Sequence, residues 1–302
     1  MRSRRGLRGR AVPAVALLAT MALLLSGCGR PAYDGEEAYA LLIRQCEFGP
    51  RPPGSAAHEE MLKWLIEYLK SHSDQVSVQR FSVVSESELV EMANVIAAFN
   101  PNARERVLLG AHWDTRPVAE RDPDEASRSL PITGANDGAS GVAVLLELAS
   151  VMSEHSPPVG VDLVFFDGED GGDGGGYDGF CLGSTYFAKS VGFYSPSFAV
   201  VVDMVGDSDL SIPMEPNSLA ACPEVVERVW DAARATGAPS FTNEQGSSMF
   251  DDHIPLIQVG IPSALIIDFQ YPYWHTLADT PDKCSPESLR EVGEVLIELI
   301  YK

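Results

Sequence analysis

VDLVFFDGED, residues 161–170, runs from a short β-rich apolar segment straight into three acids, Asp167, Glu169 and Asp170. The glycine-rich tract behind it, GGDGGGYDGF at 171–180, allows three readings: a calcium loop, a linker, or the exit of a buried strand into an active site. Calcium loops such as the EF-hand space their acids regularly, and this tract does not. The rest of the chain separates the other two.

Three more runs have the same form. RVLLGAHWD (106–114) delivers His112 and Asp114, FAVVVDMVGD (198–207) delivers Asp203, and SALIIDFQ (263–270) leads to His275 in WHT (274–276). Continuous apolar, β-branched runs are what strands buried on both faces require. Between them lie helical stretches at 141–152, 181–190 and 222–237, and a last helix at 285–301 with Ser285 or Ser288 near its start. Upstream, residues 34–48 read as a helix, and Ser55 can cap a second at 56–72 with Leu62, Leu65, Ile66 and Leu69 on one face. Residues 76–84 and 89–99 read as strands. The alternation predicts an α/β three-layer sandwich with a central, mostly parallel but mixed twisted sheet flanked by helices. Ligands of open α/β sheets gather outside the carboxyl ends of the strands, where these acids and histidines fall. ITGANDGASGVAVLLELA (132–149) adds Asp137 at the glycine-rich start of a helix. FFDGED is therefore read as a strand delivering groups into a site, with the glycine tract as a loop at its rim.

The formal charge of −21 over 302 residues excludes a nucleic-acid partner, which needs a basic footprint. The first 27 residues are different in kind: basic MRSRRGLRGR, then apolar AVPAVALLATMALLL, then LSGC ending at Cys28. That order predicts an export signal over 1–27. LSGC also resembles a bacterial lipobox, which makes Cys28 the lipidated first residue, 28–33 a short tether and 34–302 a single catalytic domain. The expected location is the cell envelope, periplasmic or outer surface, with the membrane touched only through the lipid. Gly29 in place of an inner-membrane retention aspartate leans outward. The remaining cysteines, Cys46, Cys181, Cys222 and Cys284, can pair as disulfides or stay as buried thiols.

Histidine and carboxylate donors without cysteine suit a catalytic zinc with a separate base. The ordered motifs GAHWDT, GANDGASGVAVLLELA, FFDGED, VVDMVG, DDHIPLIQVGIP and WHT resemble the zinc-dependent aminopeptidases of the co-catalytic exopeptidase class. They are more similar still to the glutaminyl cyclases that share that fold, over essentially the whole body from QCEFGPRPPGS (45–55) onward. The resemblance implies Asp137, Asp170 and His275 as ligands of one expected zinc. It implies His112 and Asp203 as ligands of a second ion with Asp137 as bridge, Asp114 as the acid that orients the imidazole, and Glu169 as general base.

Two features of the resemblance favour cyclisation of N-terminal glutamine over hydrolysis. Asp251 stands where the aminopeptidases carry serine, and in the cyclases such an acid joins the one matching Asp203 in a proton network. Trp274 precedes His275, as in the cyclases, where it walls the substrate pocket; Tyr177 and Phe180 are further candidates to touch substrate. Against this, animal cyclases have glutamate at Asp170 and a tryptophan in the following loop that this chain lacks. The expected substrate is the N-terminal segment of peptides or exported proteins, and the expected state a monomer. An aminopeptidase, and a non-catalytic peptide-binding lipoprotein, remain as alternatives. His58, His72 and His155 read as surface residues, His253 as a backbone-bonded structural histidine, and Arg51 as a residue that binds structure. Asp268 either lines the pocket or caps a turn.

Overall fold

The computed structural model describes residues 30–85, 88–172, 179–192 and 194–302. The export signal, Cys28 and Tyr177 lie outside the described residues. In chain order the elements are α1 (Gly35–Cys46), α2 (Ala56–His72), β1 (Gln75–Ser85), β2 (Glu88–Phe99), β3 (Arg106–His112), α3 (Ala139–Glu154), β4 (Gly160–Phe166) and α4 (Leu182–Ser190). There follow β5 (Phe198–Asp203), β6 (Ile212–Met214), α5 (Pro216–Ala221), α6 (Pro223–Thr236), β7 (Phe241–Gln245), α7 (His253–Gln258), β8 (Ser263–Ile267) and α8 (Pro286–Tyr301). The main sheet has the order β1-β2-β4-β3-β5-β8. Its four inner and right-hand strands, β4, β3, β5 and β8, are parallel, and β2 and β1 are added antiparallel. The small β6–β7 pair was not foreseen, because three residues carry no readable period.

Strand side chains alternate between faces, and here both faces are covered. Val107, Leu109, Val161, Leu163, Val200, Val202, Ala264 and Ile266 join one core under α1, α2, α3, α6 and α8. Leu108, Val164, Phe166, Val201, Leu265 and Ile267 join a second core under α4 and α7. That double burial is why the four runs read as continuously apolar. The predicted caps form: Ser55 Oγ accepts from His58 N at 3.1 Å, and Ser285 Oγ from Ser288 N at 3.1 Å.

Some sequence expectations are corrected. His58 is not a surface residue: it is buried, its Nε2 lies 2.8 Å from Asp167 Oδ1, and its ring stacks on Trp113. Asp167 continues the odd-numbered side of β4, which faces α2, so it turns away from the other acids of its turn. His72 is half-buried, stacked on Tyr68 with Nδ1 2.8 Å from Tyr68 O. His253 faces the Glu215 carboxylate at 3.3 Å rather than backbone. The four cysteines are free thiols. Arg51, fully buried, donates to the carbonyls of Gly49, Thr133 and Gly134 at 3.0–3.1 Å and so ties the α1–α2 connection to the loop before α3. Asp268 caps a turn, accepting from Ser211 N and Gln270 N.

One buried acid outside the site gives the fold a pH dependence. Burial pushes Glu147 on α3 up to about 7; Asp34 N–H pulls the other way, and the charges of Asp34, Glu37 and Glu154 add to the rise. A carboxyl raised on folding stabilises at low pH, and that contribution is lost as pH rises from the unfolded value through about 7. Glu147→Gln is expected to be more stable than the parent at pH 8 by about 1–2 kcal/mol after allowance for solvent screening, and no more stable at pH 4. Thermal unfolding at both pH values tests this; an equal gain at pH 4 would sink it.

Candidate active site

The carboxyl ends of the parallel strands meet on one side of the sheet. His112 ends β3 and Asp203 ends β5, both on the α7 side of their strands. Asp137 enters from the loop before α3, Asp170 from the turn after β4, and His275 from the segment after β8. His112 Nε2 lies 3.1 Å from Asp203 Oδ1 and 3.3 Å from Asp137 Oδ1. His275 Nε2 lies 3.3 Å from Asp170 Oδ1 and 3.6 Å from Asp137 Oδ2. Two donor sets result, each able to hold a metal and both sharing Asp137.

Each donor is held from behind. Asn136 N and Asp137 N donate to the two oxygens of buried Asp279 at 2.8 and 3.2 Å. Gly138, with φ +97, has no room for a side chain: a Cβ there would meet Asp114 O at 2.6 Å and the His112 ring at 3.1 Å. At Gly141 a Cβ would strike Val202 O at 2.4 Å, so glycine lets α3 seat against β5. Asp114 accepts from Glu169 N at 3.0 Å and Asp170 N at 3.2 Å, and sits 3.6 Å from His112 Nδ1. One buried carboxylate thus braces both the imidazole and the turn. Arg116 Nη1 donates to Asp170 O at 3.1 Å and Oδ1 at 3.3 Å. His275, with φ +56, donates from Nδ1 to Glu120 Oε1 at 2.6 Å, which leaves Nε2 as the inward-facing nitrogen. Burial raises Glu120, but His275 and Arg116 outweigh it and hold it at about 2. Burial lowers His275, yet Asp170, Glu120 and Asp137 push it up to about 10.

These residues fit a divalent cation. Asp137 Oδ2 and Asp170 Oδ2 are buried with no hydrogen-bond donor among the described residues. Buried carboxylate oxygens without a donor, gathered around imidazole nitrogens, are an arrangement that a shared cation would neutralise. Nitrogen and carboxylate donors without sulfur match zinc in a catalytic setting.

Above the donors lies a pocket of about 380 Å³ that Glu169, Asp203, Asp251, Phe180, Phe269 and Trp274 help to line. Trp274 stacks on the His275 ring at 3.8 Å between centroids and meets Phe269 edge-on. Arg121 lies 5.1 Å over the Trp274 ring, and Arg116 5.1 Å over Phe180. Burial raises Glu169 well above the carboxylate range; His112 opposes it, and Asp251, Asp170 and Asp252 reinforce it. Burial likewise raises Asp251, with Asp203 and Asp252 adding, and raises Asp203 against the pull of His112. A groove of similar size, about 390 Å³, opens elsewhere on the outer face near β1. Its charged groups, Arg106 and Asp162, neutralise each other at 2.8 Å, so nothing converges there on a ligand.

Sequence reasoning brought together Asp137, Asp170, His275, His112, Asp203, Asp114, Glu169, Asp251, Trp274 and Phe180. It missed Arg116, Glu120 and Asp279. Arg116 and Glu120 follow His112 in RPVAE, and a cation and an anion four residues apart beside a metal motif were the available signal.

The sequence pattern of peptidase family M28 matches residues 94–300. The Tannerella forsythia glutaminyl cyclase structure superposes with a TM-score of 0.86 at 39% identity, covering 90% of this chain and 99% of that one. A leucine aminopeptidase precursor from Bacteroides thetaiotaomicron superposes at 0.88 with 34% identity, covering 91% and 99%. The glutaminyl-peptide cyclotransferase-like protein of Mus musculus is 25% identical over 275 residues, 82% of this chain and 70% of that protein. With that fold, and with both donor sets in place beneath one pocket, the chain belongs to peptidase family M28 and is a glutaminyl-cyclase-like member of the zinc exopeptidase superfamily.

Proposed function

We propose that this chain is a zinc-dependent glutaminyl-peptide cyclotransferase, converting the N-terminal glutamine of peptides and exported proteins to pyroglutamate with release of ammonia. One observation carries the reading. Glu169, Asp203 and Asp251 are raised acids lining a single pocket that Trp274 also walls. Buried carboxyls gathered at one pocket raise one another, an arrangement suited to passing protons. Cyclisation takes a proton from one nitrogen and gives it to another, and such a group of acids can carry it between them.

The residues divide the work accordingly. Asp137, Asp170 and His275 would hold the zinc, which when bound supplies Lewis-acid polarisation of the side-chain carbonyl. Trp274 and Phe180 present apolar faces to the glutamine side chain and keep water out. The neutral α-amine attacks the side-chain amide carbon, forming the ring C–N bond, and a Glu169 oxygen accepts the amine proton. The amide C–N bond then breaks, Glu169 returns the proton to the departing nitrogen, and ammonia leaves. No water is consumed. Asp251, raised by burial and by the charge of Asp203, stands beside Glu169 in the pocket as a further acid able to hold or pass on a proton near the amide. His112 and Asp203 complete a second donor set that this reaction does not need.

That second set, and the likeness to a leucine aminopeptidase precursor, favour aminopeptidase action as the other reading. A zinc-loaded sample incubated with a glutamine-initiated peptide and followed by mass spectrometry decides between them. Loss of ammonia from an intact peptide supports the cyclase. Free glutamine with a shortened peptide overturns it, and an unchanged peptide points to a binding protein.

The body from residue 34 is read as one catalytic domain acting as a monomer, exported by residues 1–27 and tethered through 28–33. Lipidated Cys28 holds it at the cell envelope, where peptide N-termini are its substrates. The order of basic, apolar and LSGC segments supports this. Cys28→Ala is expected to lose incorporated palmitate and to leave the membrane fraction; retention of both would refute the anchor.

A further inference from the structure

Behind Glu169 lies one more group that the mechanism above leaves unused. Cys181 begins α4 with φ 52 and ψ 36, in the left-handed region that disfavours any residue with a Cβ. The chain there folds back on the turn after β4: Cys181 N donates to Glu169 O at 2.9 Å and Leu182 N to Gly168 O at 3.0 Å. Asp170 and Phe180 form an antiparallel bridge in the same strip. This geometry brings Cys181 Sγ to 3.3 Å from Glu169 Oε1. The thiol is fully buried, and burial with the charges of Glu169, Asp252 and Asp251 keeps its proton on sulfur. Glycine would satisfy this backbone without strain, and an apolar side chain would fill the space. Neither would donate to the carboxylate.

Resting on the reading of Glu169 as proton carrier, we propose that Cys181 is a positioning residue for the base, its thiol fixing Glu169 Oε1 so that the other oxygen serves the reacting nitrogens. The hydrogen bond selects one rotamer of a side chain that has neighbouring acids on several sides. Without it, the carboxyl spends less time aligned with the substrate amine, so turnover suffers and binding does not.

The test compares Cys181→Ala, Cys181→Ser and Cys181→Gly with Glu169→Gln, measuring kcat, KM, Tm and metal content on a glutamine-initiated peptide. Alanine is expected to lower kcat about tenfold with KM within about twofold, the effect of one lost hydrogen bond to a carboxylate. Serine, which keeps a donor, is expected to stay within about threefold of the parent. Glycine relaxes the backbone, so Tm holds or rises while kcat stays as low as in alanine. That split between stability and turnover is one a packing role would not produce. Full kcat in Cys181→Ala and Cys181→Gly, with Glu169→Gln inactive, overturns the inference and leaves the base reading standing. A kcat that falls only together with Tm or metal content also overturns it. An active Glu169→Gln would instead remove the reading on which it rests.

Discussion

Glu169→Gln is expected to slow ammonia release from a glutamine-initiated peptide about a thousandfold, the scale of a lost proton-transfer catalyst. The effect belongs in kcat. Glutamine keeps the length and planarity of the side chain and can still accept from Cys181, so the pocket should bind substrate nearly as before. The metal should also stay, because Glu169 is in neither donor set; it hangs from Asp114 by its backbone while Asp170 next to it belongs to one of them. Steady-state kinetics with metal analysis on the same preparation checks both halves. Turnover within tenfold of the parent would remove Glu169 from the chemistry. A loss of activity that tracks a loss of metal would make its role structural.

Removal of the metal is expected to abolish turnover and to lower stability together. Arg116 and the imidazoles lie against these carboxylates, but none of them donates to Asp137 Oδ2 or Asp170 Oδ2. An ion present at a thousandfold excess over its Kd contributes about 4 kcal/mol to folding, which the stripped protein forgoes. The cyclase reading makes a sharper claim about restoration. Activity should return with the first equivalent of zinc, because only Asp137, Asp170 and His275 are asked to hold it. Activity that waits for a second equivalent would mean that His112 and Asp203 also bind a working ion, and would favour the peptidase. Tm and turnover followed through one titration distinguish these outcomes.

Much of the fold was legible because its strands are buried twice. A strand covered on both sides cannot alternate, so 107–111, 161–166, 198–202 and 263–267 stand out as unbroken apolar runs, and what ends each run lands at one side of the sheet. His112, Asp170, Asp203 and His275 were visible for that reason. His58 shows where the reading fell short. It lies four residues before Leu62 on the stripe that continues to Leu65 and Leu69, so its place on the buried face of α2 was in the sequence. Residue type was allowed to outweigh position. Asp167 fell to the same parity argument: counted along β4, it belongs to the face opposite the site. Arg116, Glu120 and Asp279 were missed for another reason, although the spacing of the first two was a signal. They sit on loops, where no period says which way a side chain points, and their partners are 54, 155 and 143 residues away.

Asp279 stands four residues beyond His275 and grips the two amides that present Asp137. Two donors from distant parts of the chain are thereby spaced by the length of one short connector. Residues 275–279 act as a gauge block. A residue added or removed within that span would displace the histidine and the bridging aspartate at once, although neither had been touched. The distance between the arms of the site is thus written in chain length as well as in side chains, and a catalogue of ligands alone would not reveal it.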